Sequence, residues 1–290
     1  MKYKKQKIII LTTVYDEVEP YFLDFISSVN NQTYMDFDLV IVNDNFKNIK
    51  KYIPKFNLEN IHIYEKTNLS IEENRLFGID KCRELGAEII VFADSDDAFV
   101  KNRIEKTIDY FSEIDLGILI NEFNVCDSDL NITHLNFISS RIKNNSIIST
   151  ESIRHYNFCG LSNSAIRLSS CDLNNIVINN PFDWSFFASL LESRVLARFT
   201  NETHTMYRQH NQNFVGIAST LNDDRIKTAL KIKHKHYMQM DKKFKNFKDL
   251  SEFYNQALSM NEVDFSFYKE KCYRNFKENS FWWEEVMKWS

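Results

Sequence analysis

The segment EIIVFADSDDAFVKNRIEK, residues 88–106, puts three carboxylates, Asp94, Asp96 and Asp97, at the end of an apolar run. Acids this close raise one another's pKa unless something positive sits among them. Some of this charge is answered if the acids open the helix that follows, because carboxylates favour helix N-termini. That role accommodates one or two acids more readily than three. A divalent cation held through carboxylate oxygens relieves the repulsion directly, as would a substrate that brings one. Three further polar clusters end apolar runs: Thr12 to Glu17, Asn43 to Asn45 and Asn68 to Arg75. Taken alone, Asn43 or Asp44 is also compatible with a simple strand-ending turn. In an open parallel sheet, ligands bind outside the carboxyl ends of the strands. Four clusters at four such ends therefore predict one shared crevice.

The elements that must hold them follow from periodicity. KIIILTTVY (7–15), DLVIVND (38–44), IHIYEK (61–66) and EIIVFA (88–93) read as strands, the first two near-continuous β-branched runs suited to burial on both faces. Between them lie helical stripes, one with Phe22, Phe25, Ile26 and Val29, another closed by Gly86. A further helix carries Ile104, Ile108 and Phe111 on one face. This alternation predicts an α/β fold, a mostly parallel sheet with helices on both faces. DLGILINEFNVCD reads as another strand, residues 128–150 as loop or short strands, and residues 180–193 as a helix. VLARFT and HTMYRQH read as two short strands, and from about residue 219 the pattern is helical and Lys-rich. The KHKHY run is expected on an exposed helix face, with His204, His234 and His236 solvated.

Composition narrows the function. The 290 residues are 43% hydrophobic and 26% charged with a formal net charge of −4, which offers no basic excess for a nucleic acid partner. Five scattered cysteines, none spaced C-x-x-C, exclude a zinc ribbon, argue against a disulfide framework and predict a reducing, cytoplasmic setting. The N-terminal basic residues before an apolar run imitate a signal peptide, but the run is short and turns polar at Thr12, as a core strand does. No stretch is long enough to span a membrane.

LTTVYDEVEPYFLDFISSVNNQTYMDFDLVIVNDN, NLSIEENRLFGIDKC, FADSDD, NNPFDWSFF and YRQHNQNFVG, in that order, resemble the inverting, nucleotide-sugar-dependent family two glycosyltransferases of GT-A fold. The last motif is similar to one in rhamnosyltransferase-like members. The resemblance covers residues 6 to 216 and implies a GT-A (Rossmann-like) domain over 1–216, with a nucleotide-binding half to about 115 and an acceptor and catalytic half from about 116. Residues 217–290 would be a C-terminal helical region. It further implies that Thr12, Val14 and Tyr15 line a nucleoside pocket with Glu17 close by, and that Asp44 accepts a hydrogen bond from the base. Arg75 and Asp94 would lie along the nucleotide. Asp96 and His210 would hold a divalent metal, Mn²⁺ or Mg²⁺, with Asp97 a further metal neighbour. Asp183 would be the general base. The donor would be a UDP- or dTDP-sugar, and the acceptor a glycan, lipid-linked or protein-linked hydroxyl. The chain departs from the family pattern at Thr13 for proline, Asp16 for asparagine, Leu69 for glycine, Leu76 for asparagine and Phe182 for glutamate.

Other readings stand beside these. Asp183 follows Pro181 at a helix start, where it would be an N-cap, and a lone histidine such as His210 is often a packing residue. A strand ending in D-x-D also suits an aspartyl phosphatase or phosphotransferase, although that chemistry wants the motif on the first strand. The departures are also those of an inactive nucleotide-sugar-binding protein. Phe281, Trp282, Trp283 and Trp289 form an aromatic stripe expected to pack on the core, the alternatives being a homodimer contact or peripheral docking at the inner membrane face.

Overall fold

The computed structural model describes residues 6–113, 115–210, 217, 220–278 and 280–288. Its strands are β1 (Ile8–Val14), β2 (Asp38–Asn43), β3 (Ile61–Glu65), β4 (Ile89–Asp94), β5 (Ala98–Phe99), β6 (Ile118–Cys126), β7 (Ile132–His134), β8 (Ser164–Arg167) and β9 (Ala197–Arg208). The helices are α1 (Phe22–Asn30), α2 (Ile49–Tyr52), α3 (Ile71–Glu84), α4 (Arg103–Glu113), α5 (Thr150–His155), α6 (Phe182–Glu192), α7 (Asp223–Lys243), α8 (Lys248–Leu258), α9 (Glu262–Asn275) and α10 (Trp282–Glu285). One sheet runs β3-β2-β1-β4-β8-β6-β9-β5, with β7 added beside β6.

The expected parallel core is β3-β2-β1-β4. Beyond β4 the sheet is mixed: β8 is antiparallel to both its neighbours, while β6 and β9 are parallel. Every residue of β1 is buried because both faces are covered. Ile8, Ile10 and Val14 pack with Phe22, Phe25 and Val29 of α1, and Ile9 and Leu11 with Ile79 and Cys82 of α3. The α3 helix starts on a reciprocal Ser70/Glu73 capping box and is followed by Gly86 in the left-handed region, φ 79°. It lies close on the sheet: a Cβ at Gly78 would come within 2.7 Å of Leu11 Cδ1.

Two expectations change. VLARFT and HTMYRQH are one strand, β9, whose register along β6 jumps from Thr200 to His204 opposite Asn121 and Glu122. The buried Glu122 carboxylate anchors that irregularity by accepting from the amides of Phe123, Ile138 and Ser139 at 2.7–2.9 Å. The KHKHY run is not an exposed face. Ile226, Ala229, Leu230, Lys233, Tyr237 and Met240 share one helical stripe, and Lys233 and His236 are drawn inside with it. His236 stacks on Trp184 of α6, ring centroids 4.1 Å apart. Lys233 donates to the Val286 carbonyl at 2.6 Å and to Tyr254 at 3.2 Å. Burial pushes the pKa of Lys233 down to about 7 and that of His236 down to about 3. His204 is half-buried rather than solvated.

The apolar layer beneath the strand ends continues without a break into the C-terminal helices and includes Phe281, Trp282 and Trp283. Those three pack on the core as expected; Trp289 lies outside the described residues. Among the described residues no helix is long and apolar enough to cross a membrane.

Candidate active site

Two cavities open at the carboxyl ends of the strands. The first, about 460 Å³, is lined by Thr13, Tyr15, Asp16, Glu17, Asp44, Asn45, Ile71, Asn74 and Arg75. The second, about 320 Å³, includes Arg75, Asp94, Asn157, Asp183, Tyr207 and the aromatic residues 281–283. Ile71 and Arg75 belong to both, so the α3 N-terminus forms the boundary between them.

Strand alternation decides which β1 residues reach the first cavity. Thr12 and Val14 are wholly enclosed and absent from its lining, Val14 because it faces α1. Thr13 and Tyr15 stand there instead, so of Thr12, Val14 and Tyr15 the structure puts only Tyr15 on this cavity. Glu17 is an exposed rim residue. Asp44, just past β2, accepts from Asn74 at 2.9 Å, and desolvation, then the neighbouring Glu17 charge, raise its pKa. Asn43 makes the turn, its side chain bonding the Phe46 amide at 2.8 Å.

The acidic cluster is answered first by the protein's own cations. Arg75 donates to Asp94 at 2.9 Å and to Thr13 Oγ1 at 3.2 Å. Arg103, fully buried, donates to the Phe92 carbonyl at 2.9 Å and lies 4.0 Å over the Phe99 ring. Burial lowers its pKa to about 9, while the Asp97 and Asp94 charges oppose that fall. Arg208, also buried, ties Asp24 at 2.7 Å to the Asp96 carbonyl at 2.7 Å, and its amide donates to Asp97 at 2.7 Å. Ser162 also donates to Asp97. Even so, withdrawal from water and the mutual repulsion with Asp96 raise the pKa values of Asp94 and, further, Asp97. None of the three acids is needed to start α4, since Gln32 Oε1 accepts from the Ile104 amide at 3.1 Å.

Asp96 meets His210, Nε2 to Oδ2 3.0 Å, with little of either side chain exposed. The Tyr21 ring steadies this arrangement: His210 stacks on it at 4.7 Å and the Arg208 guanidinium lies 4.6 Å from its centroid. Asp97 is turned inward to Ser162 and Arg208. Among the described residues no three His, Cys, Asp or Glu side chains are grouped to hold a metal unaided.

Asp183 sits in the first turn of α6 with Pro181 as N-cap, so it is not itself the cap. It accepts from Asn157 Nδ2 at 3.0 Å and from the Trp184 amide at 2.8 Å. Withdrawal from water raises its pKa to about 6, against the opposing effect of those two bonds. Sequence reading missed Thr13, Asn74, Arg103, Asn157, Ser162 and Arg208 as members of the site. Thr13 and Asn74 are neighbours of singled-out residues and carried a local signal; Asn157, Ser162 and Arg208 come from distant parts of the chain, and Arg103 from the helix after the acids, without one.

The model of "Glycosyl transferase family 2" matches residues 9–169, more than half of the chain. The chain belongs to that family. An uncharacterized glycosyltransferase of Methanocaldococcus jannaschii is 30% identical over 135 residues, 44% of this chain and 45% of that protein, so the match spans less than half of its length. Among solved structures, S. aureus TarS 1–349 in complex with UDP-GlcNAc superposes with a TM-score of 0.61 at 13% identity, covering 89% of this chain and 74% of that one. A mannosyltransferase from Pyrobaculum calidifontis, in complex with GDP-Man and Mn²⁺, gives 0.51 at 9% identity, covering 83% and 65%. At these identities the likeness is one of fold, and the fold is that of the GT-A glycosyltransferases, with helices added at the C-terminus.

Proposed function

We propose that the chain transfers a sugar from a nucleoside diphosphate donor to an acceptor hydroxyl, with inversion at the anomeric carbon. The observation that carries this is Asp183, a carboxylate with a pKa near 6, on the same cavity as the Arg75–Asp94 pair. The first cavity takes the nucleoside, with Thr13 and Tyr15 as walls and Asp44 as acceptor for the N3–H of uracil or thymine, which favours UDP or dTDP. Arg75, at the junction, faces the diphosphate.

Asp96 and His210 fit a divalent cation. They bring an imidazole nitrogen and a carboxylate oxygen together at 3.0 Å, a donor pair that would suit Mn²⁺ or Mg²⁺. A two-residue site suits an ion whose remaining ligands are diphosphate oxygens and water. Bound there, Mn²⁺ or Mg²⁺ would neutralise the charge that develops on the diphosphate. The complexes of the Pyrobaculum enzyme support this reading.

The acceptor oxygen attacks the anomeric carbon while its proton passes to Asp183, and the bond from that carbon to the diphosphate oxygen breaks with its electron pair leaving on the diphosphate. One base and one displacement invert the centre. Arg75, with Arg103 behind the acids, holds positive charge where the leaving group gathers negative charge. The acceptor is a hydroxyl of a glycan or of a lipid- or protein-linked glycan.

The test is a panel of UDP- and dTDP-sugars, with the product's anomeric configuration read by NMR. Asp183→Asn should cut transfer by about 10²–10⁴-fold and leave nucleotide binding intact. Retention of configuration, or full activity in the variant, would refute the assignment.

A further inference from the structure

Asp183 lines its cavity and is only partly covered, so a water molecule standing there could yield a proton to it as an acceptor hydroxyl does. Attack by that water would release the sugar free. A transferase built on such a base needs its cavity closed to water. The wall that comes from the far end of the chain is aromatic: Phe281, Trp282 and Trp283 line the same cavity, each less than a tenth exposed. Phe281 and Trp283 stack at 3.9 Å, and the Phe281 ring also meets Phe123 and Phe137 edge-on.

Three successive residues just beyond this wall are each held by a basic side chain from another part of the fold. Arg141 grips Glu284 with two bonds of 2.8 Å, about a fifth of either side chain being exposed. Arg225, in the first turn of α7, donates to both oxygens of the wholly buried Glu285 carboxylate at 2.7–2.8 Å. Lys233 donates to the Val286 carbonyl at 2.6 Å. The Arg141 anchor reaches the wall itself. Its guanidinium lies 4.9 Å from the Phe281 centroid, and the Glu284 carboxylate that it grips accepts from the Phe281 amide at 2.9 Å.

We propose that residues 281–287 form a strap that keeps water from Asp183, with Arg141 as its positioning residue. Ion pairs withdrawn from water gain little over apolar packing; here they add a fixed arrangement of the wall. With the strap displaced, a water oxygen attacks the anomeric carbon and its proton passes to Asp183. The bond from that carbon to the diphosphate oxygen breaks with its electron pair leaving on the diphosphate, giving free sugar and nucleoside diphosphate. The chain thus contains a donor hydrolase that the strap suppresses. This rests on the transferase reading above, because it uses the same donor and the same base.

The experiment follows free sugar released without any acceptor, on the full chain with Mn²⁺, from UDP-glucose, UDP-galactose, UDP-N-acetylglucosamine and dTDP-rhamnose. Calorimetry with UDP and dTDP runs beside it. Arg141→Met should raise release from at least one donor about tenfold, because an unpaired, largely covered carboxylate destabilises the docked strap by at least that factor. Nucleotide affinity should be unchanged, which also reports that the variant is folded. Glu284→Gln keeps an acceptor for the Phe281 amide and removes only the charge; it should raise release less, and carries the test if Arg141→Met fails to fold. The double variant should release no faster than Arg141→Met, since the two side chains act as a pair. Adding Asp183→Asn should return release to background. Release unmoved in both single variants, increases that multiply in the double variant, or release that survives Asp183→Asn overturns the strap alone, provided nucleotide still binds. Failure of the native protein to bind either nucleotide overturns the transferase reading beneath it.

Discussion

Replacing Asn157 with alanine should move the acid limb of the transfer reaction upward by about one pH unit. Asp183 must be ionised to take the acceptor proton, so kcat/KM rises with pH and is half-maximal near pH 6 in the native protein. Asn157 donates to that carboxylate at 3.0 Å and so favours its ionised form. A hydrogen bond to a charged group contributes about 1.5–3 kcal/mol when nothing replaces it. Water entering the space left by the side chain would recover part of this. A residual loss of about 1.4 kcal/mol corresponds to one pKa unit. At pH 6 the variant would then retain about a tenth of its own plateau, against half for the native protein. The assay is nucleoside diphosphate release from pH 4.5 to 9 at saturating Mn²⁺. A limb set by any other group would stay in place, because the bond removed is the one from Asn157 to Asp183. An unmoved limb, or one displaced to lower pH, would refute Asp183 as the base.

Three further outcomes follow from the packing and the cluster. Gly78→Ala drives a methyl toward Leu11 and Val42 and should cost about 1–3 kcal/mol in denaturant titrations, weakening nucleotide binding as α3 lifts Asn74 and Arg75. Lys233 has a folded pKa near 7, below its usual value, so the unfolded chain holds a proton that the native one sheds between about pH 7 and 10.5. Stability should therefore rise with pH across that window, by up to about 5 kcal/mol, and Lys233→Met should flatten the slope. Incubation with phosphoryl donors should give no phosphoenzyme, because Asp94 is paired with Arg75 in a transferase site; a phosphoaspartate at Asp94 would revive the phosphatase alternative.

Much of the scaffold was legible because burial on both faces writes itself as near-continuous β-branched runs, as in Ile8–Val14 and Leu39–Val42. The acidic cluster was legible for the same reason: charge next to such a run is conspicuous. What answers the charge was not. Arg103 stands nine residues after Asp94 and Arg208 on a strand more than a hundred residues away, and nothing local marks them as countercharges. Thr12 and Val14 were assigned to the pocket without following the two-residue alternation that turns Thr13 and Tyr15 toward it. Lys233 and His236 could have been found, since both fall on the stripe through Ile226, Leu230, Tyr237 and Met240. Their charge and polarity concealed a helical period that the apolar neighbours state plainly. The link from Trp283 to the base's cavity joins residues 100 apart and depends on tertiary packing.

Calorimetric titration of UDP and dTDP, with and without Mn²⁺, into the native protein and into Asp96→Ala tests the central claim most directly. Binding of at least one nucleotide that needs the metal, and is lost in the variant, is the predicted result. No binding of either nucleotide, or metal-dependent binding that Asp96→Ala leaves unchanged, would contradict it.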